Sequence, residues 1–366
     1  MNYPQRLDPL SVILKLPGET CNINCSYCYE KRSPKLGIKK MEISTIQKFL
    51  NLAGGSPLAV ELHGGEPLLA GKNTFKEILK LLEGYNGPIE VTLQTNATLI
   101  DREWAEILTG YDVNMAISIS LDGDQTANQF RLSYANKETI NKVEEGLRVL
   151  HESGISTGVA CTVTKLSLER GPQILEYFAS LPTVRHVKFN PCFDYDVSLE
   201  NEYRAGSGIP IWSITPMEFE GFLEDVFLYW KKGLYETVTI DPVMSVIRAV
   251  DGRDNNFCVY SEKKCAHVLT LYPNGDLTSC DELNANDSRL ANVNELSTLD
   301  EVRSLKSNQK LKEGLQEILE DCSECDYYNV CKGGCLATRK RYKGSRYYEE
   351  YCLYKKKLID FVREEV

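Results

Sequence analysis

Eleven of thirteen cysteines fall into two dense groups along a 366-residue chain, and no other feature limits the fold as strongly. Three lie between Cys21 and Cys28 and eight between Cys258 and Cys352, while Cys161 and Cys192 stand alone. The opening residues MNYPQRLDPL lack the charged start and long apolar run of a secretory signal. No stretch approaches the length of a membrane span. A cytoplasmic location away from membranes is therefore expected, and there thiols stay reduced and disulfides rarely persist. Metal ligation is the natural use for so many cysteines.

The length exceeds a usual single core, so a large domain with a smaller appendage is expected. A formal charge of −10 argues against a nucleic-acid partner, because phosphate binding needs clustered Lys and Arg. From residue 10 to about 235, short β-branched runs alternate with amphipathic helical patterns, about six strand-helix units around a parallel sheet. The expected strands are Leu10 to Leu16, Leu58 to His63, Ile89 to Gln94, Met115 to Leu121, Thr157 to Thr164 and His186 to Phe189. Ile140, Val143, Leu147 and Leu150 recur at helical spacing, as do Phe219, Leu223, Val226 and Trp230. Thr215 with Glu218 predicts a capping box, with Pro216 at the first helical position. Past about residue 240 the composition shifts to Cys, Asn, Asp, Gly and Lys, with a short strand from Val268 to Tyr272 and a turn at Pro273-Asn274-Gly275-Asp276.

The segment Cys21-Asn-Ile-Asn-Cys25-Ser-Tyr-Cys28 places three thiolates directly after a predicted strand, where catalytic loops of α/β barrels sit. A 4Fe-4S cluster held by three cysteines keeps one iron free for a substrate or cofactor. Structural zinc wants four ligands, and no fourth cysteine is near. The Cys-x-x-x-Cys-x-x-Cys spacing, with Tyr27 before the last cysteine, resembles the signature of the radical S-adenosylmethionine superfamily. The resemblance implies that the open iron chelates S-adenosylmethionine, whose reductive cleavage yields a 5′-deoxyadenosyl radical. Gly64-Gly65-Glu66-Pro67 resembles the family's Gly-Gly-Glu-Pro motif, which holds the methionine amino group; in isolation it reads equally as a surface turn. His63 stands where some relatives carry Gln. Gln94-Thr95-Asn96 and Ser120-Leu121-Asp122-Gly123 end the third and fourth strands and resemble elements flanking the cofactor, with Ser120 toward the ribose. Arg131 resembles the arginine that pairs with the cofactor carboxylate, a surface salt bridge being the plainer alternative.

The C-terminal cysteines, centred on CSECDYYNVCKGGC, resemble the SPASM domain of peptide-modifying radical enzymes. That resemblance assigns Cys258, Cys265, Cys280 and Cys335 to a nearer auxiliary cluster and Cys322, Cys325, Cys331 and Cys352 to a farther one. Spacing alone fits two structural zincs as well. Asp281, next to Cys280, matches the aspartate that acts as a base in sulfatase-maturing members, with Glu282 the nearest substitute; a solvated loop residue is the bland reading. Cys161 sits in an apolar strand and reads as a buried, inert thiol.

The implied fold is α/β: a partial (β/α)6 TIM-like barrel over residues 8–240, followed by a linker and SPASM auxiliary domain over 241–366. The implied cofactors are three 4Fe-4S clusters and S-adenosylmethionine. Two activities compete. The first is a maturase that abstracts hydrogen from a ribosomally made precursor peptide and forms a C-C, C-O or C-S crosslink. The second is an anaerobic sulfatase-maturing enzyme oxidising Cys or Ser to formylglycine; Asp281 favours it, while the loops over residues 122–135 and 193–211 do not resemble that subgroup. The partners implied are the precursor peptide or sulfatase and a one-electron donor such as flavodoxin or ferredoxin. An iron-sulfur electron carrier or zinc scaffold is the remaining reading, opposed by the intact first motif.

Overall fold

The computed structural model describes residues 9–31, 40–194, 210–253, 255, 257–261, 264–265, 268–283 and 285–366. Most of the 193–211 loop, residues 195–209, lies outside them. The chain divides into two compact units, each drawn from separate stretches of sequence. The first comprises Met1–Asn22, Tyr29–Ser118 and Cys265–Glu313, the second Ile23–Cys28, Ile119–Lys264 and Gly314–Val366.

In the first unit, β1 (Leu10–Lys15), β2 (Leu58–His63) and β3 (Ile89–Thr95) pair in parallel. Period-two burial explains their register: Val12, Val60 and Val91 lie in one cross-strand row, as do Leu14, Leu62 and Leu93. Parallel strands demand crossovers, supplied by α1 (Ile43–Ala53) and α2 (Lys72–Glu83), whose apolar stripes include Ile46, Phe49, Phe75 and Leu79. Asp101 caps α3 (Arg102–Thr109) by accepting from Trp104 N at 2.9 Å. The short strand expected near residue 268 forms as Val268–Leu271 and runs parallel to β1, Ser11 opposite Val268. The Pro273–Asp276 turn then leads into an antiparallel strand, Asp276–Thr278. Lys15 and His63 face each other at the C-terminal ends of β1 and β2.

Strand β4 (Met115–Ser120) runs across the boundary between the two stretches of sequence. In the second unit, β5 (Thr157–Val163) and β6 (Val184–Pro191) are parallel, β6 extending two residues beyond the expected His186–Phe189 at each end. The predicted capping box forms on the helix Pro216–Trp230: Glu218 N donates to Thr215 Oγ1 and Thr215 N to Glu218 Oε2. That helix packs against the C-terminal helix Arg346–Glu365. Phe193, Phe219, Tyr351 and Tyr354 interlock there edge to face, with centroids 5.5–6.4 Å apart. Among the described residues, no helix is long and apolar enough to cross a membrane.

Candidate active site and cluster-binding cysteines

In the first unit, Gly64-Gly65 is needed by packing as well as by turn geometry. A Cβ at Gly65 would stand 2.2 Å from Thr20 O, and one at Gly64, whose φ is +121°, 2.7 Å from Pro17 Cδ. The two glycines let the turn press against the loop leading into Cys21, held by Gly65 N to Gly18 O and Glu66 N to Thr20 O, both 2.9 Å. Glu66 is fully buried, and its carboxylate accepts from Thr95 Oγ1 (2.7 Å), Asn96 N (2.8 Å) and Leu68 N (3.1 Å). It fixes the end of β3. Asn96, so placed, donates to Asn22 Oδ1 at 2.9 Å and lies 3.7 Å from Cys21 Sγ. Pro67 opens the short helical turn that follows Glu66, and Gln94 lies half-buried on β3.

The same unit holds a polar cluster of which sequence reading identified only Asp281 and His63. Lys15 is 1% exposed at the end of β1. Its ammonium donates to Glu30, to Asp281 Oδ2 at 2.9 Å and to Tyr29 OH at 3.1 Å, and lies 3.5 Å from His63 Nδ1. Tyr29 OH donates to Asp281 Oδ2 at 2.8 Å. Burial alone would push the Asp281 carboxyl up, but the charge and hydrogen bond of Lys15, with Tyr29, hold it well below the usual range. For Lys15 burial opposes the charge, and Asp281 and Glu30 overcome it, so the ammonium is retained. Burial and the neighbouring Lys15 bring His63 down to about 3, so it is neutral. Glu30, His63 and Asp281 have donor atoms within 4.8 Å of one another, yet the Lys15 ammonium already occupies the place of a cation among them. The missed signal was a lysine closing the apolar run LSVILK, out of phase with Val12 and Leu14 and yet buried.

In the second unit, Asn24 N to Leu132 O (2.6 Å) and Ser26 N to Phe130 O (2.9 Å) hold the loop that carries Cys25 and Cys28. Tyr27 OH donates to Asp122 Oδ2 and accepts from Arg131 Nη1 at 2.8 Å. Asp122 also accepts from Thr162 N at 3.0 Å and lies 3.9 Å from Arg131. Arg131 is buried, which removes the surface salt bridge as an explanation, and its Nε has no partner. An unsatisfied guanidinium nitrogen near Cys25 and Tyr27 fits a site built to receive an anionic group. Ser120 ends β4, directly before Leu121 and Asp122. Cys161 is fully buried against Asp122 O, and burial pushes its thiol well up, as an inert thiol requires.

All thirteen cysteines are unbridged. Cys322, Cys325, Cys331 and Cys352 approach one another in the second unit. Arg339, itself buried, donates to Cys352 Sγ at 2.9 Å and Cys322 Sγ at 3.3 Å. A cavity of about 320 Å³ opens beside Cys322, Cys325, Cys352 and Arg339. Cys258 and Cys335 are neighbours in the same unit, and Cys265 and Cys280 belong to the first unit, where Ser279 Oγ bonds Cys265 O at 3.0 Å. A soft four-thiol set with a guanidinium donating to its sulfurs suits a negatively charged metal-thiolate group.

Residues 16–177 match the family model described as the Radical SAM superfamily. With parallel β/α units and the cysteine loop at the end of β1, the chain carries a radical SAM domain and is a radical SAM enzyme, using a 4Fe-4S cluster and S-adenosylmethionine. It is 26% identical over 351 residues to the cysteine-type anaerobic sulfatase-maturating enzyme of Clostridium perfringens strain 13, covering 91% of this chain and 90% of that one. It is 25% identical over 358 residues to the serine-type anaerobic sulfatase-maturating enzyme of Bacteroides thetaiotaomicron, covering 92% and 85%. The solved structure of native anSMEcpe with bound AdoMet has the same fold, with a TM-score of 0.81 at 23% identity over 98% of both chains.

Proposed function

We propose that this enzyme oxidises a cysteine or serine side chain of a peptide or protein to the aldehyde formylglycine. The observation that carries the reading is the near full-length similarity to both cysteine-type and serine-type sulfatase-maturating enzymes. It places formylglycine formation ahead of the peptide crosslinking that sequence reading put first.

Cys21, Cys25 and Cys28 would hold the cluster, which with S-adenosylmethionine would supply hydrogen-atom abstraction from the substrate carbon. Completing the two-electron oxidation then needs removal of one proton, from S–H or O–H, and one electron. Serine gives the aldehyde directly; cysteine gives a thioaldehyde that water converts to aldehyde with loss of hydrogen sulfide. Asp281 takes the proton. Lys15 and Tyr29 both engage its Oδ2, leaving the ionised group oriented by two bonds on one oxygen. The set Cys258, Cys265, Cys280 and Cys335 and the set Cys322, Cys325, Cys331 and Cys352 would each hold a 4Fe-4S cluster, three in all, and those clusters would supply an acceptor for the electron. A flavodoxin or ferredoxin would be the one-electron donor for the cluster that Cys21, Cys25 and Cys28 would hold. Arg131 receives the S-adenosylmethionine carboxylate, its unpartnered Nε being the support. Gly64, Gly65, Glu66 and Pro67 shape the turn that meets the amino group.

The test is anaerobic incubation with S-adenosylmethionine, a reductant and synthetic sulfatase peptides bearing Cys or Ser, with hydrazide trapping of aldehyde. Aldehyde from either peptide supports the proposal. Abundant 5′-deoxyadenosine without aldehyde, together with a crosslink in a precursor peptide, would replace it with the crosslinking activity.

A further inference from the structure

Lys355 is 1% exposed on the helix Arg346–Glu365, one turn beyond Cys352, and its Nζ is buried with no hydrogen-bond partner. Its ammonium lies 3.6 Å from the centroid of the Tyr260 ring and 5.4 Å from that of Tyr354. The charged groups that act on it are Cys331, Lys264, Cys335 and Cys258, so it stands among thiols of both proposed auxiliary sites. Lys264 gives an internal comparison. It is buried nearby, but donates to the carbonyls of Gly334 (3.0 Å), Val259 (3.1 Å) and Cys258 (3.3 Å), a backbone-fixing role. Lys355 fixes nothing. A buried amine with no hydrogen-bond partner is one whose counter-charge the protein itself does not provide. Aromatic faces return only part of what solvation loses.

We propose that Lys355 is a shared electrostatic control of the two auxiliary clusters, within electrostatic reach of Cys331 of one and of Cys258 and Cys335 of the other, and that its charge raises the reduction potential of both. The proposal rests on the reading of the eight C-terminal cysteines as two four-thiolate cluster sites. A four-thiolate 4Fe-4S centre is anionic and becomes more so on reduction, and its potential follows local charge and burial. A buried cation close to it therefore favours the reduced form, in a medium where charges are poorly screened. An acceptor for the electron left by substrate oxidation needs that bias. Lys355 is a tuning residue that acts through the clusters, and no contact with substrate is implied.

The experiment is a redox titration followed by electron paramagnetic resonance on the cluster-loaded full-length enzyme, comparing wild type with Lys355→Met, Lys355→Gln and Lys355→Arg. The neutral variants are expected to lower the reduction equilibrium of both auxiliary clusters together by about tenfold or more, about 59 mV for a one-electron couple, with the S-adenosylmethionine-responsive signal unmoved. Arg should hold both potentials near wild type. If both neutral variants fail to load iron and Arg restores loading, the requirement for charge is likewise supported. A fully loaded neutral variant with unmoved potentials, or failure of all three variants to load, overturns the proposal. So does zinc in the C-terminal sites of the wild type, an outcome that metal analysis reports separately and that also removes the cluster reading.

Discussion

Lys15 and Lys355 are both 1% exposed, yet one is surrounded by acceptors and the other has none. Around Lys15, Glu30 and Asp281 return more than burial removes, and the ammonium is held firmly charged. Around Lys355, burial prevails and the amine is brought down to about 7. The first cluster is complete as protein: its charges were placed by the fold for one another. The second leaves its ammonium without an acceptor, and on the proposal above a cluster held by the nearby thiols would supply the missing anion. Burial by itself therefore says little about a lysine; the groups facing it determine whether it supports the fold or awaits a cofactor.

The sharpest way to break this comparison is to remove both charges in turn. Lys15→Met strips the partner from two buried carboxylates and should destabilise the enzyme by about 3–5 kcal/mol, read by thermal or denaturant unfolding. Lys355→Met leaves no acceptor unpaired, so its melting temperature should stay close to wild type. Equal losses in the two variants would erase the distinction. Next in size, Asp281→Asn should lower aldehyde formation about 10²–10⁴-fold while 5′-deoxyadenosine still forms, because the proton acceptor is removed while Glu30 remains to pair with Lys15. Loss of both products in parallel would make Asp281 a purely structural partner of Lys15.

The smallest expected effect concerns a carboxylate whose nearby cation, Lys357, is outweighed by burial and a second carboxylate. Glu220 on the helix Pro216–Trp230 is raised from 4.5 to about 7 by burial and by the neighbouring Glu224. A folded-state value above the unfolded one favours the protonated native form, so this stabilisation is full below pH 4.5 and is lost as pH rises to about 7. Glu220→Gln should flatten the melting temperature over that window. An unchanged slope would show that Glu220 ionises without penalty.

Much of the fold was legible because its signals are local. Period-two runs such as LAVELH and the Thr215/Glu218 capping box state their structure within a few residues. The pairing of Val268–Leu271 with β1 was not legible, since a short apolar strand carries no label for a partner some 250 residues away. In the candidate site, cysteine spacing and Gly-Gly-Glu-Pro were readable as motifs. Lys15, Tyr29 and Glu30 were not, because their significance lies in meeting Asp281, which only the folded chain brings near. Glu66 shows the reverse: the motif is readable, but its hold on Thr95 and Asn96 is visible only in three dimensions.

The central claim is that the cysteine groups hold three clusters, one of them open to S-adenosylmethionine. Its most direct test is anaerobic reconstitution with iron and sulfide, followed by metal analysis and a 5′-deoxyadenosine assay of wild type and Cys28→Ala. The account predicts about twelve irons per wild-type chain, about eight in the variant, and cleavage of S-adenosylmethionine only by wild type. About four irons in wild type, zinc in the C-terminal sites, or cleavage retained by Cys28→Ala would contradict it.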